Sequence, residues 1–236
     1  MNQTLSYPSA SADPAQALLI PSRTEPAPLI VFFAGEDLAQ SLKTACSRLR
    51  VPHFHLLLVS VNDWNSLLSV WPANDKKTVF AGHADVTRAF LQDHLLPWAL
   101  SSLPQAPSSL WLGGYSLGGL YVLWDGLQSN QFEALLCISG SVWFPEFEAW
   151  AKKQPVPSSV KSIYFSLGTK EVKTANPQLQ KTGEIMENLS LHFQQEKLLS
   201  TFVWNPGTHF TEIPRRIALG LSWTFSALEQ HNNQDR

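Results

Sequence analysis

The chain has 236 residues, 44% of them hydrophobic and 15% charged, with 17 Lys and Arg against 19 Asp and Glu for a net charge of −2. That length suits one domain with a sizeable core, and an ordinary apolar share with balanced charge excludes a disordered chain. The lack of any basic excess or basic run argues against a nucleic-acid binder held by phosphate contacts.

The opening segment, MNQTLSYPSASADPAQ, carries neither the basic region nor the apolar core of a signal peptide. No stretch approaches the roughly 18 consecutive apolar residues of a membrane span. The expectation is a cytoplasmic protein with no membrane partner. Residues 15–20 (AQALLI) read as an antiparallel edge strand, and 27–33 (APLIVFF) and 53–61 (HFHLLLVSV) as buried strands. The same holds for 108–112 (SSLWL), 134–138 (ALLCI), 162–167 (SIYFSL) and 199–204 (LSTFVW). Apolar runs without alternation mark strands covered on both faces, as in a parallel sheet. Helical spacing is predicted over 37–50, 85–101, 120–127, 177–198 and 211–228, where Ile213, Ile217, Leu221 and Leu228 share a face. Strand–helix alternation implies one open α/β sheet with helices on both sides. Residues 1–14 and 230–236 read as flexible ends, and only about 141–158 is left over for a small flap. The two cysteines, Cys46 and Cys137, form no disulfide framework.

The most informative segment is Gly114-Tyr115-Ser116-Leu117-Gly118, a G-x-S-x-G pattern between a predicted strand and a predicted helix. A serine on so sharp a turn projects its hydroxyl above the sheet, and flanking glycines let neighbouring backbone pass close by. Ser116 is therefore the candidate nucleophile. It needs a general base, and of the seven histidines only His209 has the right setting: a Pro-Gly loop after the last strand, Asn205-Pro-Gly-Thr-His209. His53 and His55 would share a strand face, but no carboxylate or cysteine accompanies them, so no metal is expected. Among the acidic residues between Ser116 and His209, only Glu171 closely follows a strand, in Ser166-Leu-Gly-Thr-Lys-Glu171. The order Ser116, Glu171, His209 is that of α/β-hydrolases. Either Glu171 orients the imidazole, or it is a surface residue and Ser116 and His209 act as a dyad. For the oxyanion, one donor is the Leu117 N–H, and the second is Gly35 or Glu36 on the loop after 27–33.

These residues, with Asp63-Trp64, Trp71-Pro72 and the segment Ser139-Gly-Ser-Val-Trp143, together resemble the putative-esterase family of α/β-hydrolases. That family includes the enterobactin and salmochelin trilactone esterases, and the likeness spans roughly residues 28–225. The resemblance implies ester hydrolysis through an acyl-serine, with Ser116 as nucleophile and His209 as base. It carries the acid over less directly, because some siderophore esterases of the family manage with a dyad. An anionic ferric trilactone calls for arginines at the pocket, yet the site loops offer only Lys170, with Arg215 and Arg216 just beyond His209.

The expectation is thus an α/β-hydrolase fold with a mostly parallel sheet and minimal or no cap, acting on a small-molecule ester without metal or organic cofactor. Trp64, Trp143 and Phe144 either line the substrate pocket or pack in the core. An acyltransferase or thioesterase with the same machinery, or a catalytically silent binding protein on this fold, are the competing readings.

Overall fold

In the computed structural model, which describes residues 4–35, 37–75 and 78–234, eight strands form one sheet. In chain order the elements are β1 (Leu5–Ser6), β2 (Ala15–Ile20), β3 (Leu29–Phe33), α1 (Leu38–Arg48), β4 (His55–Val61) and α2 (Trp64–Leu67). Next come the hairpin β5 (Ala73–Asp75) and β6 (Thr78–Phe80), then α3 (Ala84–Phe90), a π-helical turn (Leu91–Leu95) and α4 (Leu96–Ser102). The second half holds β7 (Leu110–Tyr115), α5 (Leu117–Gly126), β8 (Ala134–Ile138), α6 (Phe147–Ala151) and β9 (Ser162–Gly168). It ends with α7 (Pro177–Gln180), α8 (Thr182–Gln195), β10 (Leu199–Asn205) and α9 (Ile213–Gln234).

The strand order is β1-β2-β4-β3-β7-β8-β9-β10. Strands β4 to β10 of that order pair in parallel, while β2 runs antiparallel to β4. The expected antiparallel strand at 15–20 is present but is not the edge, because the two-residue β1 pairs outside it. Regular structure therefore reaches into both segments read as flexible ends: β1 at one, and α9 as far as Gln234 at the other.

Consecutive strand residues feed opposite faces, and both faces are apolar. Ile30, Phe32, Leu56 and Leu58 pack with Leu42 of α1 and Ile217 and Leu221 of α9. Val31, Phe33, Leu57 and Val59 pack on the other face with Leu120 of α5 and Leu189 of α8. Two-sided coverage explains why these strands read as continuous runs rather than alternating ones. Both cysteines are buried, and burial pushes the Cys46 thiol up to about 12.

Three departures from the predicted elements have local causes. The helix expected over 85–101 contains the π turn just before Pro97. Proline has no N–H to give the preceding turn, and one widened turn absorbs the missing bond. The helix expected over 177–198 is split at Lys181, after a short first turn capped by Asn176, whose side chain accepts from the Gln178 N–H. The segment 141–158 is not a raised flap. Phe144 and Phe147 are buried, Trp71 donates its indole N–H to the Pro145 carbonyl at 3.1 Å, and Phe80, Trp71 and Trp150 close the aromatic cluster. Burying one such ring contributes about 1.5–3 kcal/mol, so several together hold this segment down on the hairpin.

Candidate active site

The G-x-S-x-G turn is built as a sharp strand-to-helix elbow. β7 ends at Tyr115, α5 begins at Leu117, and Ser116 between them takes φ 59°, ψ −123°. That backbone region is costly for a residue with a side chain. Two neighbours over-determine it: the Ser116 N–H donates to the Ile138 carbonyl at 3.1 Å, and the Ser116 carbonyl accepts from the Ser141 N–H at 2.9 Å. A Cβ on Gly114 would sit 2.4 Å from the Gly118 carbonyl group, so strand and helix could not meet at this angle with any larger residue there.

The other parts arrive on loops at the carboxyl ends of β9 and β10. The two loops are tied together, the Thr169 N–H donating to the Asn205 carbonyl at 2.8 Å and the Lys170 N–H to the Gly207 carbonyl at 2.9 Å. Gly207 takes φ 100°, which turns the chain toward His209. Thr208 and Thr211 then brace the loop through mutual hydrogen bonds, and the Tyr115 hydroxyl donates to the His209 carbonyl.

These loops bring Ser116, His209 and Glu171 together. His209 Nε2 lies 3.0 Å from Ser116 Oγ, and His209 Nδ1 lies 2.7 Å from Glu171 Oε2. The other carboxylate oxygen, Oε1, accepts from the Gly168 N–H at 2.7 Å, Ser139 Oγ at 2.9 Å and Arg216 Nη1 at 2.8 Å. Burial pushes the Glu171 carboxyl up, but hydrogen bonds from His209, the Gly168 N–H and Ser139 outweigh it and hold the group below its ordinary range. Glu171 is therefore a carboxylate at neutral pH.

Leu117 opens α5, so its backbone N–H has no acceptor within the helix. Gly35 lies on the loop after β3 and lines a cleft of about 310 Å³ beside the elbow, while Glu36 falls outside the described residues. Trp64 lines the same cleft, its ring within 3.5 Å of where a Cβ on Gly118 would sit. Of the two alternatives for Phe144, pocket wall or core, the structure places it in the core: at 2% exposed it belongs to the aromatic cluster with Phe80 and Trp71. Trp143 is half-buried and edges against Phe80 and Phe144. His53 and His55 do not form a pair, because β4 begins only at His55. Its Nδ1 accepts from the Ser22 N–H at 2.9 Å and its Nε2 lies 3.0 Å from Glu25.

Two further residues contact Glu171. Ser139 stands in sequence only as part of the Ser-Gly-Ser-Val-Trp segment, which does not reveal its contact to Glu171. Arg216 reads in sequence as a basic group near an anionic substrate, but it is 1% exposed and turned inward onto Glu171. Its one sequence signal is its place on the first turn of the helix that follows His209.

The family model described as "Putative esterase" matches residues 19–209. Among curated proteins, none is similar enough in sequence to match. Of solved structures, the siderophore hydrolase EstA from Aspergillus nidulans aligns with a TM-score of 0.71 at 14% identity, covering 95% of this chain and 93% of its own. The BES protein from Bacillus cereus gives 0.74 at 16% identity over 93% of each chain. The enterobactin and salmochelin hydrolase IroE gives 0.65 at 14% identity, over 93% of this chain and 94% of its own. Likeness at these identities establishes the fold, and the family match, spanning most of the chain, establishes the family. The chain belongs to the Putative esterase family and is a carboxylic ester hydrolase of the α/β-hydrolase fold.

Proposed function

We propose that the chain hydrolyses uncharged carboxylic esters through an acyl-serine intermediate, with Ser116 as nucleophile, His209 as general base and Glu171 orienting the imidazole. The observation that carries this reading is the unbroken line of contacts Ser116 Oγ–His209 Nε2 at 3.0 Å and His209 Nδ1–Glu171 Oε2 at 2.7 Å. With the Nδ1 proton donated to Glu171, Nε2 is left as the acceptor for the Ser116 hydroxyl proton. Attack on the ester carbonyl forms a tetrahedral oxyanion, which accepts from the Leu117 N–H and from a second donor on the Gly35 loop. Collapse expels the alcohol, which takes its proton from the His209 imidazolium. Water then repeats the sequence on the acyl-enzyme and releases the acid.

The cleft supports an uncharged substrate. Ala34, Leu38, Trp64, Ile213 and Pro214 give it an apolar lining, and the charged wall residue among the described residues is the acidic Asp37. Phe210, 82% exposed, stands beside the His209 ring and offers a further apolar contact. EstA is a siderophore hydrolase by name and IroE an enterobactin and salmochelin hydrolase, and a catecholate trilactone serves as the contrasting substrate. We expect kcat/KM for short-chain p-nitrophenyl esters to exceed that for an iron-loaded catecholate trilactone by at least about tenfold, the effect of roughly one unfavourable charge contact. The reverse order, measured side by side, would overturn the uncharged-ester reading and favour a siderophore esterase.

A further inference from the structure

Arg216 is the largest fully buried side chain, and the chemistry above gives it no task. Its Nη1 lies 2.8 Å from Glu171 Oε1, 3.0 Å from Ser139 Oγ and 3.2 Å from Tyr115 Oη. Its Nη2 donates to the carbonyls of Thr208 at 2.7 Å and Pro206 at 3.1 Å. Nε has no hydrogen-bond partner among the described residues. The five links end at four strands: Tyr115 closes β7, Ser139 follows β8, Glu171 follows β9, and Pro206 and Thr208 follow β10. One cation thus joins the carboxyl ends of four consecutive strands where the reacting groups are displayed.

Packing alone does not explain a charge here. A buried guanidinium loses its hydration, and an apolar side chain of similar volume would fill the space without that cost. The surrounding backbone is also cut to fit. A Cβ on Gly168 would come within 2.6 Å of Arg216 Nη2 and 2.7 Å of Glu171 Oε1.

We propose that Arg216 is a positioning residue for the ester hydrolysis set out above, on which this inference rests. Its Nη1 occupies the Oε1 edge of Glu171, leaving Oε2 to aim His209. Its Nη2 holds the loop that carries His209 by two carbonyls. Acid and base are therefore set in register by the same group.

Among the described residues, the charged and titratable groups facing this pair are Arg216 from α9 and Tyr115 from β7. Tyr115 stays neutral because burial raises its hydroxyl, while Ser139 from β8 and Ser116 are neutral and Lys170 is exposed. With the Arg216 fork removed, neither the Oε1 edge of Glu171 nor the loop that carries His209 is held, and the imidazole loses its aim at Ser116 Oγ.

The test is kcat and KM, measured separately, for a p-nitrophenyl ester with wild type, Arg216→Met and Arg216→Lys, corrected for folded fraction by thermal melting. For Arg216→Met we expect kcat to fall by about 10², as for a misplacement near 1 Å, with KM within about threefold. Arg216→Lys keeps the charge but not the fork, so its kcat should fall about tenfold, between wild type and Arg216→Met. A folded Arg216→Met with the wild-type kcat overturns the proposal. If that variant does not fold, Arg216→Lys decides, and a kcat within about twofold of wild type overturns it, a change too small for a lost fork contact. A wild type that turns over the ester without fluorophosphonate labelling of Ser116 overturns the underlying reading and this proposal with it. A labelled wild type with unmoved variants overturns the positioning role alone.

Discussion

Replacing Ser116 by alanine is expected to lower kcat for an activated ester by on the order of 10⁶, leaving only what the oxyanion donors and binding supply. The imidazole of His209 would keep its bond to Glu171 at 2.7 Å but have no hydroxyl to activate. The fold should be little affected, because the Ser116 side chain's hydrogen bond is to His209 and its backbone ties remain. Ser116→Gly, equally inactive, is expected to melt higher than Ser116→Ala. Relief of a strained φ of 59° is worth about 1–3 kcal/mol, against about 0.5–1 kcal/mol of added chain entropy. Both variants therefore lose activity alike while their melting temperatures separate, and steady-state kinetics with calorimetry on the two variants checks both.

Glu171→Gln should lower kcat by about 10³–10⁴, because an amide can present an N–H to Nδ1 and stabilise the wrong tautomer. A Ser116–His209 dyad predicts a loss below about tenfold. The same change leaves the Arg216 guanidinium, 1% exposed, without its anionic partner, and breaking a buried pair from one side typically costs about 3–5 kcal/mol. Kinetics are therefore to be compared well below the variant's melting temperature. Acid titration adds a signed check. The Glu171 carboxyl is held below its unfolded value of about 4.3, so its contribution is fully present above that pH and is lost as pH falls through the folded value. The stability difference between wild type and Glu171→Gln should be constant from neutral pH to about 4.3 and shrink below it, as read from denaturant melts.

The legible parts of this molecule were those where one local pattern has one structural answer. Continuous apolar runs such as 134–138 could only be strands covered on both faces, and β8 has those bounds. The Gly-x-Ser-x-Gly spacing demanded an elbow because a Cβ on Gly114 collides with the helix it must meet. Less legible were elements set by contacts far along the chain. The β5–β6 hairpin and α6 exist because Trp71, Phe80 and Phe147 share a cluster, and none of the three segments has a strong period of its own. Phe144 illustrates the same limit: an aromatic after a strand reads equally as pocket wall or core, and here it is core. Arg216 was the residue most easily misjudged. A basic side chain just past a candidate histidine looks like a ligand for an anion, and only three-dimensional closure of four strand ends turns it onto Glu171.

The claim at the centre of this account is that Ser116 is an activated nucleophile. The most direct measurement is intact-protein and peptide mass spectrometry after treatment of the native protein with a fluorophosphonate. We predict one adduct per chain, mapped to Ser116, absent in Ser116→Ala and formed far more slowly in His209→Ala. A folded wild-type protein that forms no adduct, or forms it on a residue other than Ser116, would contradict it.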